Sequence, residues 1–348
     1  MAELQARGAL RWPTGGIRAT GAGRKRVETG DPQLRAHLTR IVEETTAGDP
    51  MNALRWTSKS TRAIADELTR GGHPLSDKTV ARCLDEMGYS LQANRKSQEG
   101  RQHPNRDAQF RYINGQVNVW RRTGDPVISV DTKKKELIGA FKNAGRTWRP
   151  HGQPENVNTH DFPHLGLGKG IPYGAYDIAR DRAVVTVGVT HDTAAFAVAS
   201  VGRWWRLDGR AAYPAARRVL ICADAGGSNG HRSRAWKLHL QQLADHLRIP
   251  ITVCHYPPGT SKWNKIEHRL FSFISLNWKG KPLRTFETMV NLIGATRTRS
   301  GLKVKAVLDR GTYDTGEKVS VTDFDQLQIR GHKIHPDWNY TIAPRASA

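Results

Sequence analysis

The sequence predicts an α/β domain preceded by a small all-helical domain. Apolar residues recur at helical spacing over residues 31–95, which favours helices. From residue 126 onward, apolar strand candidates alternate with helical segments, which is typical of an α/β domain. A surplus of basic residues also indicates a negatively charged partner.

The chain carries a large positive charge. Its 348 residues include 54 Lys and Arg against 32 Asp and Glu, which gives a formal net charge of +22 and a pI near 10.3. This surplus favours a polyanionic partner, and nucleic acid is the first candidate. The sequence contains no apolar run of about 18 residues and no signal-peptide core. We therefore expect a cytoplasmic, nucleoid-associated protein without a membrane partner.

Cysteine usage agrees with a reducing compartment. Only Cys83, Cys222 and Cys254 occur, and no two of them form a C-x-x-C pair. An odd number of widely separated cysteines argues against a disulfide framework. We interpret the three thiols as small buried apolar residues.

Residues 1–30 are rich in Gly, Arg and Thr and lack a sustained apolar period, which predicts a flexible basic leader. Such a leader either contacts phosphates or has no fixed role. The next segment, 31–95, begins with a helix that carries Leu34 and Leu38 at helical spacing.

Two further helices separated by a break are predicted within 31–95. The stripe of Ile64 and Leu68 ends at the break Gly71–Pro74, and Ser76 or Asp77 can cap the helix that follows. This pattern is typical of a helix-turn-helix, although an ordinary helical hairpin produces it too. In a helix-turn-helix, the second helix presents three polar residues to a DNA major groove: Lys78, Thr79 and Arg82.

Residues 96–125 predict a polar linker followed by an amphipathic helix. Phe110, Ile113, Val117 and Trp120 repeat at spacings of three and four. The apolar face of this helix either docks on the next domain or pairs with another protomer.

The α/β domain is predicted over 126–310, with a C-terminal extension over 311–348. Helices are expected near 193–207, 231–247 and 265–278, and a long loop with a short strand around Tyr173–Tyr176 is expected over 142–182. The five main strand candidates are Val127–Thr132, Glu136–Phe141, Ala183–Thr190, Val219–Ala223 and Ile251–His255.

Three acidic residues occupy unusual positions in this pattern. Asp131 ends one apolar strand and Asp224 ends another, at the strand ends where ligands collect in open α/β sheets. Glu267 begins a helix whose apolar face includes Ile266 and Leu270, so its carboxylate can lean over the same sheet edge. A lone aspartate at a strand end usually accepts backbone hydrogen bonds. The combination of three acids favours a shared site instead.

Three converging carboxylates repel one another unless cations separate them. Hard divalent ions such as Mg²⁺ or Mn²⁺ relieve the repulsion and take oxygen ligands. Two such ions activate a nucleophilic hydroxyl and stabilise the leaving oxygen in a displacement at phosphorus. We therefore expect two ions per active site, with Asp131 bridging them, Asp224 holding one and Glu267 the other.

Longer motifs extend the pattern beyond the three acids. The chain closely resembles the ISAzo-thirteen transposases, a bacterial insertion-sequence family also called Rhodopirellula-type transposases, over roughly residues 25–345. The motifs that carry this resemblance are VISVDTKKKE from 127, LICADAGGSNG from 220, PPGTSKWNKIEHRLF from 257, DKTVARCLDEMGYSLQANRK from 77, YPAARR from 213 and WNYTIAPR from 338. The N-x-I-E signature at 264–267 is also similar to that of mariner-type transposases.

The resemblance implies a ribonuclease-H-like catalytic domain, whose central mixed sheet is flanked by helices, with Asp131, Asp224 and Glu267 as its DDE triad. It implies metal-dependent cleavage of element ends and strand transfer into target DNA. The implied partner is double-stranded DNA, both the terminal inverted repeats and the target. A homodimer or higher assembly on the DNA is also implied.

Other residues near the three acids are candidates for supporting roles. Four lysines are expected to contact DNA phosphates: Lys133, Lys134, Lys262 and Lys265. Asn264, His231 and His268 are expected to orient the acids or the attacking water. The Gly-rich turn 225–230 lacks a Walker ending, so we interpret it as a turn that positions Asp224.

Two alternatives to an active transposase remain open at this stage. Family members usually carry a further helix-turn-helix before the basic leader, and the sequence begins after that segment. A truncated or inactive remnant that only binds DNA is therefore the first alternative. A structure-specific nuclease with the same fold is the second, and a test for strand transfer separates it from a transposase.

Overall fold

A computed structural model of the chain describes residues 26–44, 59–91 and 103–346. The chain divides into two compact units, residues 1–97 and 98–348. Most of the predicted basic leader and the first part of the predicted linker lie outside the described residues.

The first unit is all-helical in its described part. Its helices are α1 (Val27–Gly30), α2 (Leu34–Glu44), α3 (Thr61–Arg70) and α4 (Asp77–Glu86). Hydroxyls cap two of them: Ser60 accepts from the Ala63 amide, and Ser76 accepts from the Thr79 amide. The core of the unit is formed by apolar residues of α2, α3 and α4, namely Leu34, Leu38, Ile41, Ile64, Ala65, Leu68, Val80 and Cys83. The predicted break at Gly71–Pro74 separates α3 from α4.

The second unit begins with the amphipathic helix α5 (Arg106–Thr123). Its buried residues Ile113, Val117 and Trp120 pack against Val127 and Leu220 of the sheet. The helix therefore docks on the α/β domain, which is one of its two predicted roles.

A nine-stranded mixed sheet forms the centre of the second unit. Eight strands lie in the order β7-β4-β3-β1-β5-β6-β9-β8, and β2 pairs with β3. Strands β1, β5 and β6 run parallel, whereas β3 is antiparallel to both β1 and β4. The strand bounds are β1 Val127–Thr132, β2 Glu136–Ile138, β3 Gly168–Asp177, β4 Arg182–Gly188, β5 Val219–Ala223, β6 Ile251–His255, β7 Lys303–Asp309, β8 Ile329–Gly331 and β9 Asn339–Ile342.

Helices cover both faces of the sheet. One face packs against α6 (Ala194–Trp204) and α8 (Arg234–Leu247), whose Phe196, Trp204 and Trp236 are buried. The other face packs against α9 (Ser272–Asn277), α10 (Phe286–Gly294) and α5. Two short helices complete the unit: α7 (Arg210–Ala212) and α11 (Val321–Asp325).

All five main predicted strands are present, and three of them have the predicted bounds. The three predicted helices are also present, with shifted ends. The largest difference concerns β3, which spans ten residues where only a short strand within a loop was expected. Its sequence contains three glycines and a proline, which are depleted in strands. Pairing with β1 on one side and β4 on the other overrides this weak local preference.

The sheet continues into the segment that was predicted as a C-terminal extension. Strand β9 pairs antiparallel with β6, and β8 pairs with β9. Residues beyond 310 therefore supply β9, next to the strand that ends at His255, and the edge strand β8 beyond it. None of the helices among the described residues is long and apolar enough to cross a membrane.

Candidate active site

Strand register brings the two predicted aspartates side by side. Parallel pairing aligns Ser129 with Cys222 and Val130 with Ala223. Asp131 and Asp224 follow one position later on their neighbouring strands, and side chains at equivalent positions of paired strands point to the same face. Both carboxylates therefore lie on the face of the sheet that α5 and α9 cover, at its carboxyl edge.

Asn264 connects these two strands to the segment that carries the glutamate. It is completely buried, and its amide donates to the Val130 carbonyl at 3.1 Å and to the Asp224 Oδ1 at 3.0 Å. Its own oxygen accepts a short hydrogen bond from Ser129. A supporting role for Asn264 was predicted from the sequence, but its three partners depend on the contact between β1, β5 and the segment before Glu267.

Glu267 follows Asn264 at the start of a π-helical turn, Glu267–Phe271, that leads into α9. The amide of Ile266 donates to the Ser129 hydroxyl at 3.1 Å, which fixes this turn to β1. Gly174, which pairs with Asp131, permits the close approach, because a Cβ there would lie 2.7 Å from the Ile266 side chain. Single π-turns inside helices are rare and often occur at functional sites.

The three carboxylates influence one another electrostatically. Burial raises the pKa of Asp131 to about 8, and the negative charges of Asp224 and Glu267 add to that rise. Burial also raises the pKa of Asp224, against the hydrogen bond from Asn264, and raises the pKa of Glu267. Asp131, Asp224 and Glu267 are thus half-buried acids, and the charges of Asp224 and Glu267 act on Asp131.

A fourth acid, Asp192, lies beside this cluster and was missed by the sequence analysis. It accepts a hydrogen bond from the Thr132 hydroxyl at 3.0 Å and lies 3.4 Å from the Lys135 ammonium. Its charge also contributes to the raised pKa of Asp131. Asp192 follows strand β4 by four residues, so an acid shortly after an apolar strand was the available signal.

Asp131, Asp192 and Asp224 line one cavity of 430 Å³ together with residues 132–135 and 226–229. A second cavity of 590 Å³ extends from Asp224 past the Gly-rich turn to His231 and Pro258. Both cavities are large enough to admit a phosphodiester with its neighbouring groups.

The lysines after Asp131 do not share one environment. Lys133, one of the lysines expected to contact DNA phosphates, is buried with its ammonium 4.5 Å from the Trp278 ring centre and 3.6 Å from Glu136. Burial lowers its pKa, and its charge lowers the pKa of Glu267. Lys133 is therefore an internal cation beside the acids, at the wall of the cavity that Asp131 lines. Lys134, in contrast, is 83% exposed.

The other predicted residues lie around the same edge. Lys262 is exposed and Lys265 is half-buried on the segment that precedes Glu267. His231 hydrogen-bonds through Nδ1 with the Ala225 carbonyl at 2.8 Å, and the exposed His268 contacts the Lys262 carbonyl. Neither imidazole hydrogen-bonds one of the three carboxylates, so both support loops near the acids.

In the first unit, the three residues predicted to read DNA differ in their contacts. Lys78 is exposed, whereas the Thr79 hydroxyl hydrogen-bonds with Ser76 at 3.0 Å. Arg82 forms ion pairs with Glu28 at 2.7 Å and Glu86 at 2.9 Å. A phosphate contact by Arg82 would have to replace or extend these two ion pairs.

The acids suit hard divalent cations by their chemistry. Each offers carboxylate oxygens, and burial together with neighbouring negative charges raises the pKa values of Asp131 and Asp224. Over the described ranges, no group of three or more His, Cys, Asp or Glu side chains is arranged to hold a single ion. Carboxylate oxygens are nevertheless the ligands that Mg²⁺ and Mn²⁺ prefer.

Comparison with curated protein sequences finds no match. Three solved structures are similar to this chain, each at 15% sequence identity and over 78% of this chain. A Mos1 transposase paired-end complex with the left transposon end has a TM-score of 0.40, and the match covers 71% of that chain. The Mos1 strand transfer complex has a TM-score of 0.39 with 71% of its chain covered, and a Mos1 mariner paired-end complex with Mn has a TM-score of 0.38 with 72% covered. A family profile described as "Rhodopirellula transposase DDE domain" matches residues 37–344. Because this match spans most of the chain, the protein belongs to the Rhodopirellula transposase DDE family.

Proposed function

We propose that this protein cleaves the DNA ends of a bacterial insertion sequence and joins them to target DNA, with Asp131, Asp224 and Glu267 holding two Mg²⁺ or Mn²⁺ ions. One observation carries the proposal. Burial raises the pKa of all three acids, and the negative charges of neighbouring acids add to the rise for Asp131 and Asp224, which supports a shared site at this sheet edge. We further propose that the mixed sheet is of the ribonuclease-H-like kind.

Each acid has a role set by its place. Asp131 lies on the strand between β3 and β5 and is affected by both other acids, so it would contact both ions. Asp224, held by Asn264, would bind one ion, and Glu267 would bind the other. When bound, the ions lower the pKa of the attacking hydroxyl and stabilise the leaving oxygen.

The residues around the acids would position the DNA. Lys134 lines the cavity beside Asp131, and Lys262 and Lys265 precede Glu267 on its own segment, so these lysines would bind phosphates on either side of the scissile bond. The helix pair α3 and α4 would bind the terminal inverted repeats through Lys78, Thr79 and Arg82. Joining two ends requires at least two active sites, so we propose a dimer or higher assembly on DNA.

An end-cleavage assay with the purified full chain tests this function. The substrates are duplexes with the terminal sequences of the element, incubated with Mg²⁺, Mn²⁺ or chelator, plus a target duplex. Metal-dependent cleavage followed by strand transfer is the expected result. Cleavage without transfer would favour a structure-specific nuclease, and DNA binding without cleavage would favour an inactive remnant.

We expect metal binding to release protons. Because the pKa of Asp131 is raised to about 8, this carboxyl is largely protonated near pH 7 in the metal-free protein and has to lose its proton to bind an ion. Affinity for Mn²⁺ should therefore rise as the pH increases from about 6 to about 8, with about one proton released per site near pH 7. Calorimetry in buffers of different ionisation enthalpy measures this number. Equal apparent enthalpies in all buffers would contradict the prediction.

We expect Asp192→Asn to weaken metal binding without abolishing catalysis. The variant keeps the shape of the side chain but removes a negative charge next to Asp131, so about tenfold more Mg²⁺ should be needed for half-maximal cleavage. At saturating Mg²⁺ the rate should stay within about threefold of the wild type. Asp245→Asn is the matched control, because it removes the same charge from an acid that pairs with Arg345. Identical metal requirements in both variants would exclude a role for Asp192.

A further inference from the structure

A line of hydrogen bonds connects the core of the second unit with the backbone of Asp224. The Trp236 indole donates to the Tyr340 hydroxyl at 3.0 Å, and this hydroxyl lies 3.0 Å from Nε2 of His255. Nδ1 of His255 lies 2.9 Å from the Asp224 carbonyl oxygen. Trp236, Tyr340 and His255 are all completely buried or nearly so.

The chemistry of the two ends fixes the direction of every bond in this line. An indole N–H can only donate and a carbonyl oxygen can only accept. Nδ1 of His255 must therefore carry a proton. Because burial lowers the pKa of this imidazole to about 3 and keeps it neutral, Nε2 accepts, and the Tyr340 hydroxyl donates to Nε2 while accepting from Trp236. The neutral imidazole is thereby held in one tautomer.

A second set of bonds fixes the backbone of His255 from the opposite side. Gln109 of α5 donates to the His255 carbonyl at 2.8 Å and exchanges two amide hydrogen bonds of 2.8 Å with Asn339 of β9. The His255 amide donates to the Trp338 carbonyl at 2.9 Å. The imidazole consequently has little freedom to move away from Asp224.

We propose that His255 is a positioning residue that fixes the peptide group of Asp224, and with it the direction of the carboxylate, through the relay from Trp236 and Tyr340. This proposal rests on the proposed metal-binding function of Asp224. Asn264 holds the carboxylate itself, at 3.0 Å, while His255 holds the carbonyl of the same residue. Asn229 also donates to this carbonyl, at 3.2 Å, so three side chains anchor Asp224 and leave few orientations for its carboxylate oxygens.

The role of β9 follows from this arrangement. Tyr340 belongs to strand β9, more than 100 residues after Asp224 in the chain. A distant part of the sequence therefore takes part in placing Asp224. Hydrogen-bond partners one step removed from a metal ligand typically change metal affinity or activity by about 10–100-fold when they are lost.

The test measures Mn²⁺ binding by the electron paramagnetic resonance signal of the free ion, together with thermal unfolding and end cleavage of the full chain. His255→Leu removes the shorter of the two side-chain hydrogen bonds to the Asp224 carbonyl, leaves the one from Asn229, and should weaken Mn²⁺ binding by about 10-fold or more. His255→Asn places an amide donor near the position of Nδ1 and should stay within about threefold of the wild type. Tyr340→Phe, which keeps the core volume, should weaken binding by about tenfold.

Thr252→Val is the matched control for lost stability. Thr252 hydrogen-bonds with Thr341 at 2.8 Å across the same two strands, β6 and β9, but does not contact Asp224. Its unfolding temperature should fall with unchanged Mn²⁺ affinity. If His255→Leu and Tyr340→Phe bind Mn²⁺ as Thr252→Val does, or if His255→Asn is as weak as His255→Leu, the positioning role is overturned.

The failure of the proposed function gives a different result. In that case the wild type and Asp131→Asn would bind Mn²⁺ equally, because the acids would not form the site. If Asp131→Asn loses Mn²⁺ while the His255 variants keep it, the metal site stands and only the relay is refuted.

Discussion

Asp131→Asn should lower the rate of DNA-end cleavage by about 10³-fold or more, because metal-ion catalysis contributes several kcal/mol to the barrier and each 1.4 kcal/mol is about tenfold. Asparagine keeps the size of the side chain but offers one neutral oxygen where the proposed site needs a bridging carboxylate. DNA binding should remain, since none of the proposed DNA contacts is altered. Single-turnover cleavage and gel-shift binding with the same duplex separate the two effects.

The same substitution should stabilise the metal-free protein. The pKa of Asp131 in the folded state lies above its unfolded value, so ionisation of this group destabilises the fold as the pH rises from about 4 to about 8. At pH 8 without metal, Asp131→Asn should therefore unfold at a higher temperature than the wild type, by roughly 5 °C. At pH 4 the difference should vanish.

Mg²⁺ should reverse this order. Binding to the folded state stabilises the wild type by mass action, whereas the variant has lost a ligand to both proposed ions. Ala306→Val, on strand β7 three strands away from β1, should leave the metal response intact. An Asp131→Asn protein that gains as much stability from Mg²⁺ as the wild type would refute the assignment of this acid.

The placement of the acids was predictable because it depends on patterns short enough to see in one sequence. Asp131 and Asp224 directly end apolar runs, and parallel strands that end together bring such residues to one edge. Glu267 was predictable from the apolar face of its helix and from the family motif. The mixed α/β architecture followed from the same alternation of strands and helices.

Other parts depended on contacts between distant segments, which local patterns do not encode. Asp192 follows β4, and it reaches the neighbourhood of Asp131 because the sheet places β4 beyond β3, on the same side of β1. The burial of Lys133 depends on Trp278, about 145 residues later in the printed sequence. Strand β9 is short and lies in a segment without strong strand alternation, so its pairing with β6 was not predicted.

Asn264→Ala is expected to have the second large effect, on both stability and catalysis. The substitution leaves the Ser129 hydroxyl and the Val130 carbonyl without their partner in a fully buried position, and it opens a small cavity. The free energy of unfolding should fall by about 3 kcal/mol. Cleavage should fall by about 10²-fold, because Asp224 loses the donor that orients its carboxylate.

Ser129→Ala separates these two contributions. It removes the bond to the Asn264 oxygen and the acceptor for the Ile266 amide but leaves the bond between Asn264 and Asp224. Chemical denaturation should show a loss of about 1–2 kcal/mol, with cleavage reduced less than in Asn264→Ala. Equal losses of cleavage in both variants would show that orientation of Asp224 does not depend on this donor.

Asn264→Asp tests the electrostatic part of the argument at almost constant volume. It places a second carboxylate against Asp224 Oδ1, so the pKa of the introduced acid should lie above its unfolded value near 3.9. The destabilisation should be smallest below about pH 4 and should grow as the pH rises toward neutrality, where both groups tend to ionise. Mg²⁺ should recover part of the lost stability, because a cation relieves the added repulsion. A pH-independent loss would mean that the lost amide hydrogen bonds alone, and not repulsion at Asp224, account for the effect of the substitution.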